Sequence, residues 1–400
     1  MTEARKLRIL IVLTYYRPHT SGLTIYAERL AKAFAKRGHQ VTVLTSQFDK
    51  SLPREETVEG VRIVRAPVMF RISKGVIMPT FGFLASKMVL EHDVVQLHLP
   101  QFDAAGIAFR GRTLKKPTVI TYHCDLNLPK GIFNYFVNRV VDLMNHMAAI
   151  FTHRIVTYTQ DYAEHSPYIR NYMHKLKVIS PPVELPEASK EEIQAFANTY
   201  NARDQHPIIG MAARFATEKG VEILLDAMPE VLEKYPQAQV QFAGAYENIM
   251  GEEHYFNRLY PQIEKYQQSG NWQFLGNLNP LEMRKFYANI DVLVLPSLNA
   301  TEAFGLVQIE AMINGSPSIA SNLPGVRQPV KRHQMGEIFP IGDAPALAKA
   351  LIQVISHHDQ YIQPAQPILD EYLPDTIAQK YEMLFDEIYE ELGTQPGKSS

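Results

Sequence analysis

The chain has 400 residues, 46% of them hydrophobic and 20% charged, which is ample for a globular core and suits about two domains. Lys and Arg number 40 against 42 Asp and Glu, a formal net charge of −2. This balance gives no pointer to nucleic acid, and no DNA- or RNA-binding signature is present. The single cysteine, Cys124, excludes an internal disulfide framework and fits a reducing compartment.

In chain order, the opening MTEARKLRILIVLTYY sets basic residues before an apolar run. That run is about eight residues long, short for a signal-peptide core, and no small-residue cleavage site follows. It is predicted to be the first strand. No segment reaches the roughly 18 apolar residues of a membrane span, so a cytoplasmic, soluble protein is expected, with membrane contact at most peripheral. GLTIYAERLAKAFAKRG has helical spacing and stops at Gly38. VTVLTS, VRIVRAP, DVVQLHLP, TVITYH and RIVTYT follow as β-branched runs, separated mostly by helix-length stretches. Strands buried on both faces read this way, which predicts a mostly parallel sheet with helices on both sides.

The rhythm breaks at VISPPVELPEASKEE, where Pro181, Pro182 and Pro186 make a stiff extended linker. It then restarts with PIIGMAAR, VEILLDAMPEVLEKYP, VQFAGA, WQFLGN, DVLVLPS and SPSIAS. The expected architecture is α/β, with two Rossmann-like domains facing each other across a cleft. Residues 1–182 form the first and 183–372 the second. Residues 373–400 hold one more amphipathic helix and a disordered end, GTQPGKSS.

In open parallel sheets, ligands bind beyond the carboxyl ends of the strands. Ser21 and Gly22 follow the first strand, where a glycine lets backbone N–H groups approach a phosphate; a simple helix start reads equally well. Arg214 follows a strand and Lys219 opens a helix in GMAARFATEKG. Two cations at a helix N-terminus suit a diphosphate, while exposed charges of this kind are ordinarily just solvated. His123 lies beyond another strand end, placed to hydrogen-bond a sugar hydroxyl or a phosphate oxygen, or to serve structurally, as His98 is expected to. No D-x-D, H-E-x-x-H or paired cysteines are present to hold a metal. In TEAFGLVQIE, a helix starting near Phe304 or Gly305 leaves Glu302 in the loop ahead, with bare N–H groups at Gly305, Leu306 and Val307. Glu310 falls more than a turn inside, where one carboxylate can grip the vicinal hydroxyls of a ribose. The plainer alternative is a capping acid and an ordinary surface glutamate.

Taken together, these residues resemble the retaining glycosyltransferases of family 4, which have the GT-B fold. Glu302 and Glu310 match the E-x7-E pair, Arg214 and Lys219 the diphosphate-binding cations, Ser21-Gly22 the glycine-rich loop and His123 the active-site histidine. NLPGV, Asn322 to Val326, matches the loop after the next strand. The likeness covers nearly the full length, and the ordered combination is specific. It implies an enzyme that holds a UDP- or GDP-linked sugar in residues 183–372 and the acceptor in residues 1–182. The C-terminal helix is expected to pack back on the first domain. By the same resemblance Glu310 holds the ribose, and Arg214, Lys219 and the amides of Ala303, Phe304, Gly305 and Leu306 hold the diphosphate. Glu302 and His123 contact the transferred sugar. Gly276 to Leu278 lie where the base is held, and Gly244 belongs to the same donor-binding set. Catalysis falls to His123, Glu302, Arg214 and Lys219, with no metal and no cofactor. Ser21 replaces a glycine of the usual first loop, and FAGAYEN has one glycine where two are common.

Two rivals are a GT-B nucleotide-sugar epimerase and a non-catalytic nucleotide-sugar-binding protein; the E-x7-E pair and the RF…EKG element argue against the first. The acceptor is expected to be a glycan, a glycolipid or another lipid. FRISKGVIMPTFGFLASKM and LPKGIFNYFVNRVVDLMNHMAAIF mix large apolar residues with Arg71, Lys74, Lys87, Lys130 and Arg139. This patterning suits a helix lying on an anionic bilayer, and equally a helix that buries one face on a sheet. The sequence does not specify the sugar or the oligomeric state.

Overall fold

The computed structural model describes residues 6–72, 75–125, 132–201, 203–247, 249 and 251–396. Lys74, Lys130 and residues 397–400 lie outside the described residues. The chain divides into two compact units: Met1–Pro182 with Glu371–Ser400 form unit 1, and Val183–Asp370 form unit 2.

Unit 1 runs β1 (Arg8–Val12), α1 (Gly22–Lys36), β2 (Gln40–Gln47), β3 (Glu55–Val58), β4 (Val61–Pro67), β5 (Phe70–Ile72) and β6 (Gly75–Ile77). It continues with α2 (Phe81–Glu91), β7 (Val94–Leu99), α3 (Ala104–Thr113), β8 (Thr118–Tyr122), α4 (Ile132–Phe151), β9 (Arg154–Thr157), α5 (Gln160–His165) and β10 (Leu176–Val178). Eight strands form one sheet in the order β10-β9-β8-β7-β1-β2-β4-β3, with β3 antiparallel to β4. Consecutive residues Ile9 to Val12 of β1 are all fully buried, so both faces of the sheet are covered. Strand β1 pairs with β2 on one side and β7 on the other. The winding of the sheet reverses there, which is where crevices open in such folds.

Ser21 caps α1 by accepting from the Thr24 amide at 3.2 Å. Tyr26, Ala27, Leu30, Ala31 and Phe34 then recur at helical spacing and are buried, while Gly38 (φ +91°) turns the chain into β2.

Unit 2 runs α6 (Lys190–Tyr200), β11 (Ile208–Ala212), α7 (Val221–Lys234), β12 (Gln239–Ala243), α8 (Glu253–Ser269), β13 (Trp272–Gly276) and α9 (Pro280–Asn289). It continues with β14 (Val292–Leu295), α10 (Leu306–Met312), β15 (Ser318–Ser321), α11 (Gln328–His333), β16 (Gly336–Phe339), α12 (Ala344–Ser356) and α13 (Ala365–Tyr372), the last crossing into unit 1. Its sheet is parallel throughout, in the order β13-β12-β11-β14-β15-β16. This is the 3-2-1-4-5-6 order of the dinucleotide fold, with the reversal between β11 and β14.

The last helix, α14 (Pro374–Leu392), belongs to unit 1. It buries Ile377, Tyr381, Leu384, Phe385 and Ile388. Tyr381 donates to or accepts from Tyr26 of α1 at 2.7 Å and Thr121 of β8 at 2.8 Å. Glu382 accepts from Arg37 Nε at 2.6 Å and lies 2.7 Å from His39 Nε2.

Candidate functional site

Unit 2 gathers charged residues at its reversal point. Arg214 stands two residues past the end of β11, and Lys219 closes a 3₁₀ turn, Thr217–Lys219. The loop after β14 carries Glu302. Lys219 Nζ donates to Glu302 Oε2 at 2.7 Å, and Glu302 Oε1 accepts from the Gly305 amide at 3.1 Å. The Leu298 amide donates to the Glu218 carbonyl at 2.9 Å, tying the same two loops together. The Arg214 guanidinium is paired with the Glu218 carboxylate. One glutamate therefore holds both a cation and the first amide ahead of α10, on a surface where Lys219 and Glu302 are each 19% exposed.

The backbone must pass through Gly305 at φ +79°, and a Cβ there would stand 2.3 Å from Leu295 Cδ2, so only glycine fits. Buried Gln308 donates to the Phe304 and Val326 carbonyls, each at 2.9 Å, fastening the start of α10 to the NLPGV loop. Ala303 and Phe304 are buried, while Leu306 is partly exposed. Glu310 is buried in α10 and accepts from the hydroxyl of fully buried Tyr287 at 2.9 Å; nothing in the sequence around Tyr287 pointed to this contact. Gly244 (φ +141°) lets the chain after β12 pass Ala213, whose carbonyl oxygen would be 2.0 Å from a Cβ. It thereby shapes the loop that carries Arg214. Gly276 ends β13, and Leu278 packs into the core between α6 and α9.

Unit 1 has its own polar cluster at the ends of adjacent strands. Ser21 is occupied as the α1 cap, and a Cβ on Gly22 would meet nothing within 4 Å. His123, just past β8, is almost fully buried. Both its ring nitrogens have protein partners: His98 Nδ1 lies 2.7 Å from Nε2, and the Tyr158 hydroxyl contacts Nδ1. His98, expected to serve structurally, is the partner of this histidine: the two rings meet edge to edge through that contact, 25° from coplanar with centroids 5.0 Å apart. Tyr26 meets both rings edge-on. Burial pulls His98 down to about 3, and burial together with the His98 charge pulls His123 well below the usual histidine range. Both imidazoles are neutral at physiological pH. Asp125, two residues on, accepts from Tyr122, Tyr162 and Ser166. Gln101, beyond β7, has a buried carboxamide with no hydrogen-bond partner among the described residues.

Helices α2, α3 and α4 pack side by side through an Arg110–Ser86 hydrogen bond and a Phe109–Phe151 ring contact. Their outward residues are unusually apolar. Phe83 is 81% exposed, and Leu90, Phe109, Leu143 and Ile150 are also exposed. Exposed Lys87, Arg112, Lys115 and Arg139 accompany them, against Glu91 and Asp142. No described helix is long and apolar enough to cross a membrane, and no group of three or more His, Cys, Asp or Glu among the described residues is placed to hold a metal ion.

A model of the glycosyl transferases group 1 matches residues 192–366, and one of glycosyltransferase family 4 matches residues 20–186. An uncharacterized glycosyltransferase of Methanocaldococcus jannaschii is 26% identical, the match covering 94% of this chain and 96% of that one. The phosphatidyl-myo-inositol mannosyltransferase of Mycobacterium leprae is 24% identical over 96% of this chain and 97% of its own. The structure of Anabaena HepE in complex with UDP and glucose superimposes with a TM-score of 0.74 at 19% identity, covering 95% of this chain and 99% of that one. Both sheets, both halves of the sequence and these likenesses agree that the chain belongs to the family 4, group 1 glycosyltransferases and has their GT-B fold.

Proposed function

We propose that this enzyme transfers a sugar, with retention of anomeric configuration and without a metal, from a UDP- or GDP-linked donor to a hydroxyl of a lipid or glycan acceptor. The observation that carries the donor half is the Lys219–Glu302–Gly305 array at the reversal point of unit 2. Lys219, Arg214 and the amides leading into α10 meet the diphosphate. They stabilise the negative charge that grows on it as its bond to the sugar breaks, a role fixed groups perform better than water. Glu310, steadied by Tyr287, takes the ribose. Gly276 and Leu278 flank the base, and Glu302 takes hydroxyls of the sugar. To His123 in unit 1 we assign contact with the same sugar through its backbone and ring edge, because both ring nitrogens are engaged.

We assign the acceptor to the strand ends of unit 1. Gln101 supports a hydroxyl-bearing acceptor, since a carboxamide both donates to and accepts from hydroxyls. The Mycobacterium leprae relative is named for a phosphatidylinositol acceptor, which supports a lipid-linked one here. The apolar and cationic faces of α2, α3 and α4 support peripheral contact with an anionic membrane, on its cytoplasmic side.

The test is a thermal-shift screen of UDP-, GDP- and ADP-sugars on the full chain, followed by product mass with lipid and glycan acceptors, with and without EDTA. We expect one donor class to stabilise the protein, transfer to survive EDTA, and Lys219→Ala to lose turnover while keeping its melting temperature. Donor binding without product marks a binding protein, and conversion of the free donor to its epimer marks an epimerase. A melting temperature that collapses in Lys219→Ala makes that lysine structural.

A further inference from the structure

We propose that His98 is a positioning residue for the transfer, which fixes the ring orientation and the tautomer of His123 so that His123 carries its single proton on Nδ1. This rests on the assignment of His123 to the sugar.

The argument starts from the 2.7 Å contact between His98 Nδ1 and His123 Nε2. Such a distance needs one proton between the two nitrogens. Both rings are buried and neutral, so one ring donates and the other accepts, and only two arrangements exist. In the first, His98 Nδ1–H donates to His123 Nε2. His123 then has its proton on Nδ1 and donates it to the Tyr158 hydroxyl, while His98 is left with a bare lone pair on Nε2. In the second, His123 Nε2–H donates to His98 Nδ1, and His98 carries its own proton on Nε2. That nitrogen is buried with no hydrogen-bond partner among the described residues. The choice is between an unmet acceptor and an unmet N–H. Buried N–H groups without acceptors are the rarer of the two, which favours the first arrangement.

The placement gives this pairing its use. His98 is on β7, the strand that borders β1 where the sheet reverses, and His123 follows the next strand, β8. Tyr26 of α1 packs edge-on against both rings at 5.8 and 5.1 Å. Tyr26 is itself held by Tyr381. His98 thus converts a histidine at a strand end into a ring with one orientation and one proton position. The second row of contacts around a working histidine commonly acts this way.

The experiment uses the full chain labelled with ¹⁵N-histidine, alongside His98→Asn and His98→Leu. The asparagine side chain keeps an N–H near the place of Nδ1, and leucine does not. In the wild type, long-range ¹H–¹⁵N correlation should show His123 with a protonated Nδ1 and an unprotonated Nε2. His98→Asn should keep that pattern, and His98→Leu should lose it to the other tautomer or a mixture. With a competent donor and acceptor, His98→Leu should lower kcat on the order of 10²-fold, the scale of a small misplacement of a reacting group, with donor KM unchanged and much of the loss recovered in His98→Asn. A wild-type His123 protonated on Nε2 overturns the proposal without any variant. So does a His123 pattern in His98→Leu identical to wild type. The spectrum is read without substrate, so a failure of the glycosyl-transfer reading leaves this result standing, and intact transfer with the wrong tautomer sinks this proposal alone.

Discussion

Arg214 and Lys219 each have a carboxylate neighbour, but the two pairs differ in kind. Arg214–Glu218 is a surface pair four residues apart, of the sort that contributes about 0–1 kcal/mol. A diphosphate that takes the guanidinium must displace Glu218. Glu218→Gln is therefore expected to raise affinity for the nucleotide diphosphate by up to about fivefold, the equivalent of that energy. Titration calorimetry with UDP and GDP checks it, and a weaker complex would show that Glu218 helps the site. Glu310 is the opposite case, a buried acid held by Tyr287. Glu310→Gln should cost about 1–3 kcal/mol of donor binding, the range for a charged hydrogen bond. Unchanged affinity by calorimetry would remove the ribose from its role. Arg214 with Lys219, and Glu302 with Glu310, were legible in the sequence because each couple lies within one short segment, where spacing implies geometry. His98 was not: its partner is 25 positions away, and a histidine in a buried strand reads alike whether it meets a carbonyl or a second imidazole. Tyr287 and Tyr158 were hidden for the same reason.

Among the elements, α14 is clamped hardest at Glu382. Burial alone would raise this carboxyl, but hydrogen bonds from His39 and Arg37 outweigh it and hold it at about 2 against an ordinary 4.5. A pKa lowered by folding stabilises fully above the unfolded value and stops stabilising as pH falls through the folded one. Glu382→Gln should thus lower the melting temperature at neutral pH, by the equivalent of about 1–3 kcal/mol, and the gap to wild type should close between pH 4.5 and about 2. A gap that persists at pH 2 would assign the loss to shape, not charge. Helices α2, α3 and α4 carry a different prediction. The protein should sediment with anionic vesicles at low salt and less so as salt screens the cations. Lys87→Glu with Arg139→Glu should weaken it further. No sedimentation at low salt favours a soluble acceptor. The runs rich in Val and Ile identified the inner strands of both sheets. Strands β3, β5, β6, β10 and β16 escaped because they are three or four residues long and partly polar or edge-lying, where apolar alternation leaves no trace.

At the scale of the whole molecule, unit 1 is assembled from two separated stretches of chain, and its second stretch supplies Tyr381, Phe385 and Ile388 to its interior. Each such side chain stabilises by about 1.5–3 kcal/mol when fully buried, and a domain's entire stability is about 5–15 kcal/mol. A chain ending at residue 370 should therefore lose unit 1 and retain unit 2 as a protease-resistant core that begins near Val183. Two intact melting transitions in that truncated chain would contradict this. The same discontinuity orders events at the ribosome. Residues 183–370 must all be made before α14 exists, a wait on the order of 10–40 s at ordinary elongation rates. Unit 2 is thus free to fold while the nascent first half still lacks its closing helix. The hydroxyl that steadies Tyr26 beside the two histidines is made only after the whole of unit 2, so the half that is begun first is closed after the half that is begun second.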